Sequence, residues 1–289
     1  MSRLALARTA GAAVALGAGI AAVFLAPRWV SDLRLSHMGV YFIAILGLNI
    51  VTGYTGQISL GHGAFMAVGG YTTAILVADH GVRDLWTIPI AGLVGGLAGF
   101  LVGIPALRLS GPYLALVTFG LAVAMPDILK WDKLEGLTHG SKGIQLFLQP
   151  GLTGKGFEHV HVFGHALTFT RWVHYLTWAI ALVLLIVAWL LLRGALGRAF
   201  RAVRDSEVAA ASSGVNLAAY KTLAFAISAA YAGIAGSLLV IGGFYADPPT
   251  FPAKLSLTLL VGVVVAGLGS LWAVVAGAAF IEFLPDLAL

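Results

Sequence analysis

Residues 193–221, RGALGRAFRAVRDSEVAAASSGVNLAAYK, form the longest polar and basic segment between two long apolar runs, and we call them the basic loop. The apolar runs on both sides predict membrane-spanning helices, so the basic loop is predicted to be a water-exposed connection between two spans. Short loops rich in Lys and Arg stay on the cytoplasmic side of a membrane. The loop contains more cations than acidic residues, so this rule orients the chain. Its acidic residues are Asp205 and Glu207, and its cations are Arg193, Arg198, Arg201, Arg204 and Lys221.

The first half of the basic loop predicts an amphipathic helix lying along the membrane surface. Phe200 and Val203 are three residues apart, whereas Arg201, Arg204 and Asp205 share another face. A short helix with one apolar and one charged face at the cytoplasmic surface is suited to contacting another protein.

The second half predicts another short helix over 207–213. Gly214 ends it, because glycine takes the left-handed conformation after a helix without steric penalty. Asn216 is predicted to cap the N-terminus of the next helix, which enters the membrane after Lys221.

The basic loop also carries an E-x-A-A-x-x-x-G-x-N pattern, present as Glu207, Ala209, Ala210, Gly214 and Asn216. In this it resembles the coupling loop of branched-chain amino acid ABC transporter permeases of the LivM type. The resemblance implies that the loop docks on an ATPase subunit. The residues that it implies for this coupling are Arg198, Arg201, Arg204, Asp205, Glu207, Ala209, Ala210 and Gly214.

The composition is that of an integral membrane protein. Of 289 residues, 60% are hydrophobic and 10% are charged, against about 45–50% and about 25% in soluble domains. The absence of cysteine excludes disulfides and thiolate ligands or nucleophiles within the sequence. The net charge of +5 is explained by cationic loops and termini, so no nucleic-acid partner is predicted, whereas membrane lipid is.

Eight apolar segments are predicted, with both termini in the cytoplasm. The predicted fold class is an all-α integral membrane protein, a polytopic helical bundle of about eight transmembrane segments that include broken or short helices. Residues 1–289 form one transmembrane permease domain, and the longest loop, 130–171, is external. A secretory signal stays open as the alternative for the first segment, although signal cores are shorter. The segments are 9–25, 38–51, 64–78, 87–107, 113–129, 172–192, 222–243 and 255–281.

The second and third segments are short and flank the polar, glycine-rich stretch TGYTGQISLGHG at 52–63. Short hydrophobic segments around such a stretch are typical of discontinuous helices that line a substrate path. The run from Gly53 to Tyr71 also resembles the N-terminal signature of the same permeases. We therefore expect Tyr54, Gln57, Ser59 and His62 in the substrate pathway, with interhelical hydrogen bonding by these polar side chains as the alternative.

Two further motifs resemble the same family. T-x-G-S-x-G-I in the external loop is matched by Thr138, Gly140, Ser141, Gly143 and Ile144, which adds Thr138 and Ser141 to the expected pathway. G-V-V-V-A-G-L-G-S-L-W-A at 262–273 resembles the late G-G-L-G-S-L-W-G element, within a segment predicted to cross the membrane once, inward.

The external loop contains His159, His161 and His165. Their alternation predicts a β-hairpin turning near Gly164, and a metal site is the weaker alternative because no carboxylate pair or cysteine completes a ligand set. GLTGKG at 151–156 lacks the spacing of a phosphate-binding loop. No cofactor, metal or catalytic residue is predicted.

The functional hypothesis is a permease subunit of an ATP-driven importer for branched-chain or other hydrophobic amino acids, in the bacterial inner membrane. The resemblance implies two cytoplasmic ATPases, a second permease of the LivH type and a periplasmic solute-binding protein. Urea or short amides stay open as substrates, and an ion-coupled secondary transporter stays open as mechanism. Secondary transporters usually hold ionisable residues at membrane depth, whereas the predicted spans hold theirs almost entirely near the ends, with His62 as the main candidate exception. A membrane enzyme is disfavoured, because no nucleophile–base pair lies in the spans.

Overall fold

The computed structural model of the protein describes residues 32–106, 111–146, 160–162 and 165–287. Six of the helices there are long and apolar enough to cross a membrane, and two further apolar helices are shorter. The first predicted segment, 9–25, lies outside the described residues. The helices are α1 Asp32–Asn49, α2 His62–Ala78, α3 Asp84–Ala106, α4 Pro112–Leu129, α5 Glu135–Thr138, α6 Phe169–Arg193, α7 Ala195–Asp205, α8 Glu207–Ser212, α9 Leu217–Gly243, α10 Ala253–Ala266 and α11 Val274–Leu287.

The chain is a helical membrane bundle, as predicted, built around α1 and α9. These two spans are the most deeply buried, and α9 packs against α1, α2 and α3. Glycines along α3 make the α3–α9 contact possible. A Cβ on Gly95 would lie 2.8 Å from the Ala229 carbonyl oxygen, and one on Gly103 would lie 3.2 Å from Thr222. These glycines therefore serve close helix packing.

The broken stretch after α1 is confirmed, but one of its flanking helices is not short. The helix begins at Asp32, ahead of residue 38, where the second segment is predicted to start, and a π-helical turn, Ile50–Tyr54, extends it to a span of 23 residues. Irregular chain follows over residues 56–61, which we call the first break. α2 has only 17 residues, as expected of a partial span. The early start is stabilised by the Asp32 carboxylate, which lies 3.3 Å from Arg171 Nε at the start of α6.

The prediction that 255–281 crosses the membrane once is wrong. α10 ends at Ala266, and the chain turns over residues 267–273, which we call the second break, before α11 begins. A Cβ on Gly262 would contact Ile281, and one on Gly277 would contact Ala266. This pairing shows that α10 and α11 run antiparallel. Gly267 and Gly269 allow the reversal, because their φ values of +85° and +81° favour glycine.

The end of the bundle away from the basic loop is closed by short β-pairs. Ile144 pairs with Ala246 in an antiparallel ladder of β1 Ile144–Gln145 with β4 Tyr245–Ala246. β2 Val160–Val162 pairs with β3 His165–Leu167, so the predicted hairpin is confirmed. His159 lies outside the described residues. Within the described part of the chain, no group of three or more His, Cys, Asp or Glu side chains is placed to hold a metal ion.

Candidate functional site: the basic loop and the two breaks

The basic loop folds as two short helices, as predicted. α7 buries Phe200 and Val203 and exposes Arg201 and Asp205. Ser206 separates α7 from α8, and its hydroxyl accepts a hydrogen bond from the Ala209 amide, which caps α8. The charged face of α7 is therefore held at a fixed angle to α8.

The predicted end of α8 and start of α9 are also confirmed. Gly214 has a φ of +83° after α8. The Asn216 side chain caps α9 by accepting a hydrogen bond from the Ala219 amide at 3.1 Å. Ala210 is buried and its carbonyl accepts a hydrogen bond from the Val215 amide, so Ala210 and Gly214 shape the turn from within.

Two cations attach the basic loop to the bundle. Lys221 Nζ lies 2.6 Å from Glu207 Oε1, and the lysine side chain is buried whereas the glutamate is half exposed. Arg201 Nη1 donates a hydrogen bond to the carbonyl oxygen of Leu192 at the end of α6. Both helices of the basic loop are thereby tied to the spans on either side of it.

Arg204 connects the basic loop to both breaks. Its Nη1 donates a 2.8 Å hydrogen bond to the carbonyl oxygen of Gly53, in the π-helical turn before the first break. The arginine stem passes beside Gly56, where a Cβ would lie 3.0 Å from Arg204 Cγ. A Cβ on Gly269 would lie 3.2 Å from Arg204 Nη1. Glycine at these positions leaves room for the guanidinium to lie between the two breaks.

Asn49, the last residue of α1, ties the second break to the helix that leads into the first break. The fully buried side chain donates from Nδ2 to the Ser270 carbonyl oxygen and accepts from the Gly269 amide, both at 2.8 Å. Gly53 lies one turn away, where a Cβ would clash with the same asparagine. The two breaks and α7 therefore form one hydrogen-bonded junction, which we call the Arg204 junction.

A cavity of about 430 Å³ lies beside this junction, at the end of α6. Tyr54 lines it, so one predicted pathway residue is brought next to the basic loop. Its other lining residues are Trp189, Leu192, Arg193, Arg201, Gly269, Ser270, Leu271 and Trp272.

The other three pathway residues predicted in the stretch 52–63 are buried among protein groups. Gln57 Nε2 donates to Thr55 Oγ1 at 2.9 Å, and Ser59 Oγ accepts from the Gly61 amide. His62 Nε2 lies 2.7 Å from the hydroxyl of Ser228 on α9. Of these contacts, the one between His62 and Ser228 joins two helices, which is the interhelical hydrogen bonding expected from the sequence as the alternative. The substrate-pathway role of Gln57, Ser59 and His62 stays a prediction.

Thr138 and Ser141 are not close to the first break. They follow α4 and lie beyond the C-terminus of α2, whereas the first break precedes its N-terminus. The 17 residues of α2 separate its two ends by about 25 Å, at about 1.5 Å per residue. The Thr138 hydroxyl donates to the Leu129 carbonyl oxygen, whereas Ser141 is exposed. His139 lies 3.4 Å from Asp79 at the end of α2. The two predicted pathway groups therefore lie at opposite ends of α2.

Sequence reasoning missed Asn49 and Lys221, which hold the site together. Asn49 is a single amide in an otherwise apolar run, and a lone polar residue in a span was the available signal. Lys221 was counted only as a loop cation, although it lies four residues inside α9 on the buried face.

The match to known proteins covers most of the chain. The family model described as "Branched-chain amino acid transport system / permease component" matches residues 33–289. The high-affinity branched-chain amino acid transport system permease protein LivM of Salmonella typhimurium is 38% identical over 278 residues, covering 91% of this chain and 64% of that protein. LivM of Escherichia coli is 38% identical, covering 88% and 62%. LivH of Escherichia coli, also named as a permease protein of that system, is 26% identical over 80% of this chain and 76% of its own length.

The chain spans less than two thirds of the length of the two LivM relatives. No solved structure matches. The resemblance found in the motifs of the basic loop and the first break thus extends over almost the whole sequence, and the chain belongs to the family of permease components of branched-chain amino acid transport systems, as a LivM-type member.

Proposed function

We propose that this protein is the transmembrane permease subunit of an ATP-driven importer for branched-chain or other hydrophobic amino acids. The observation that carries the proposal is the Arg204 junction, which links an exposed loop to both irregular segments of the bundle. A permease that is driven from outside the membrane needs such a mechanical connection. Family membership supports the substrate class.

The proposed ATPase-docking surface is the outer face of α7 and α8. Arg198, Asp205 and Ala209 are exposed there, and Val208 is 78% exposed between them. An exposed apolar side chain that follows the charged residues Asp205 and Glu207 in sequence is typical of a protein contact rather than of a solvated face. Arg201 and Glu207 lie on the same face but also anchor the loop to α6 and α9.

Movement of the docked loop would reach the breaks through Arg204. When a partner displaces α7, the guanidinium carries the Gly53 carbonyl with it, and Asn49 transmits the displacement to Gly269. Irregular backbone is tolerated at membrane depth only inside protein or beside water. A shift of the two breaks therefore changes a region suited to opening and closing a pathway.

The proposed assembly contains two ATPases, a second permease of the LivH type and a periplasmic solute-binding protein, in the bacterial inner membrane with the N-terminus in the cytoplasm. The relatives support the second permease, because LivM and LivH of Escherichia coli are both named as permease proteins of a high-affinity branched-chain amino acid transport system. The cations of the basic loop support the orientation. The permease itself would carry out no covalent chemistry.

The experiment that tests the assembly is purification of the tagged chain from its native membrane, followed by identification of the proteins that accompany it. Recovery of ATPase subunits and a second permease is expected. A variant with Val208→Asp should lose the ATPases and retain the second permease, whereas Arg83→Gln, an exposed change beyond the far end of α2, should retain both. Purification of the wild-type chain without an ATPase would overturn the importer assignment.

A further inference from the structure

The cavity beside the Arg204 junction is lined by residue types that membrane proteins place at the level of lipid headgroups. Arg193 is the last residue of α6, and Trp189 lies one turn before it. Tryptophan and tyrosine concentrate at the membrane–water boundary, and arginine side chains extend to it. Trp272 and Tyr54 complete an aromatic rim around the cavity.

Two arginines line this cavity, and within the described chain neither has an acidic partner. The Arg193 guanidinium lies over the Trp189 ring, 4.9 Å from its centroid. Arg201 donates to the Leu192 carbonyl oxygen and retains its other N–H groups. The nearest part of the loop offers no counter-charge, because Asp205 pairs with Arg204 at 3.6 Å and Glu207 pairs with Lys221. The cavity is thus a positively charged site with free donors.

The surface below the cavity is apolar and exposed. Leu182 and Ile186 lie on the same face of α6 as Trp189 and Arg193, because residues spaced three or four apart share one side of a helix. Leu182 is 43% exposed and Ile186 is 48% exposed. The stripe leads from the two cations toward the centre of the membrane, where a hydrocarbon chain would cover it.

We propose that this cavity binds the phosphate of an anionic phospholipid, with Arg193 and Arg201 as hydrogen-bond donors and the Leu182–Ile186 face of α6 against one acyl chain. Guanidinium groups suit phosphate oxygens, and basic pockets between spans bind acidic headgroups. A soluble phosphate would use the same donors, but it would leave the apolar stripe uncovered. The inference is independent of the proposed import function, because it needs only the bundle in a membrane.

The site also adjoins the Arg204 junction, since Arg201 and Arg204 lie on one helix and Gly269 lines the cavity. A lipid held by Arg201 would therefore brace α7 against α6 at the point where the loop enters the bundle. Its binding should stabilise the junction without being part of transport.

The test is native mass spectrometry of the purified protein, with the subunits that accompany it, in detergent with phosphatidylglycerol or phosphatidylcholine added. We expect one phosphatidylglycerol to be retained preferentially. Arg193→Gln should weaken it about five-fold, and Arg193→Gln with Arg201→Gln about 25-fold, since each interfacial arginine contributes about 1 kcal/mol. Arg193→Gln alone leaves the Arg201 hydrogen bond to Leu192 intact, so its effect is not one of unfolding.

Arg83→Gln is the control, because Arg83 is exposed beyond the far end of α2 and does not line the cavity. It should leave phosphatidylglycerol binding unchanged. An equal loss in Arg83→Gln would show general surface attraction and overturn the proposal, as would equal retention of phosphatidylcholine. Inorganic phosphate at millimolar concentration and leucine are each added to compete with the bound lipid. Complete displacement of the lipid by inorganic phosphate or by leucine would identify a site for a soluble ligand and would also overturn the proposal.

Discussion

Arg204 was expected from the sequence to face an ATPase, but its guanidinium is directed into the bundle. Its hydrogen bond to the Gly53 carbonyl places it between the loop and the breaks. We therefore expect Arg204→Gln to reduce transport roughly ten-fold while assembly and ATP hydrolysis persist. The hydrogen bond contributes about 1.5 kcal/mol, the low end for a charged donor, because the side chain is partly exposed. The measurement is transport per ATP hydrolysed in reconstituted vesicles.

The control for this prediction is Arg83→Gln, which removes an exposed arginine beyond the far end of α2 and should keep the ratio of transport to hydrolysis unchanged. Equal loss of transport and hydrolysis in Arg204→Gln would instead mean that Arg204 acts in docking. Such a result would contradict the transmission role and restore the simpler expectation from the sequence.

Substitutions of the two members of the Lys221–Glu207 pair are expected to differ in their effect on stability. Lys221 is buried and Glu207 is half exposed. Glu207→Gln leaves a buried cation without its carboxylate, whereas Lys221→Met removes the buried charge and leaves an exposed glutamate that water solvates. We expect Glu207→Gln to cost about 1–3 kcal/mol of stability and Lys221→Met less. Thermal unfolding of the purified protein in detergent measures both, and a larger loss in Lys221→Met would refute this account of the pair.

At the scale of elements, the second break is held to the end of α1 by the side-chain amide of Asn49. Asn49→Leu removes two buried hydrogen bonds and leaves the Gly269 amide and the Ser270 carbonyl without partners. Each such orphaned group costs about 1–3 kcal/mol. We expect faster hydrogen exchange at residues 267–273, measured by mass spectrometry, with little change in α4. Thr72→Val is the control, because Thr72 bonds only within its own helix. Unchanged exchange in Asn49→Leu would show that the second break is held by packing alone.

The elements also show what periodicity and composition predict and what they do not. The caps at Gly214 and Asn216 were predictable, because a cap is decided by residues within one turn of the helix end. The reversal between α10 and α11 was not, because residues 255–281 are apolar enough for one span. It depends on positive φ at Gly267 and on a contact with Asn49, 220 residues away in the chain.

The same distinction applies to the site residues. The motif in the first break correctly located irregular chain, since glycine and polar residues interrupt an apolar run there. It did not show that the π-helical turn at Ile50–Tyr54 keeps α1 at full length, because hydropathy does not register backbone geometry. Nor did it distinguish Tyr54, which lines a cavity, from Ser59, which is fully buried.

At the scale of the whole molecule, the described chain has a buried centre and a largely apolar outer surface. α1 and α9 are enclosed, whereas less than a third of α4 is buried. α4 exposes Tyr113, Leu116 and Val117 along its outer face. A surface of this kind is expected of a subunit surrounded by lipid and by other spans, and the basic loop presents exposed charged residues at its end of the bundle. The energy that drives transport is therefore expected to reach the permease through the basic loop.

The energy source of transport can be tested in reconstituted vesicles. In vesicles containing the complete purified assembly, uptake of leucine should require ATP on the loop side and should persist when ion gradients are dissipated by ionophores. In the described spans, the buried Asp84 and Lys221 each lie close to a helix start, and the buried histidines are His62 and His174. His62 lies against Ser228, so the described residues contain no chain of buried carboxylates for an ion-coupled relay. Uptake driven by an ion gradient without ATP would establish a secondary transporter. ATP-driven uptake of urea in place of leucine would keep the importer mechanism and replace the substrate.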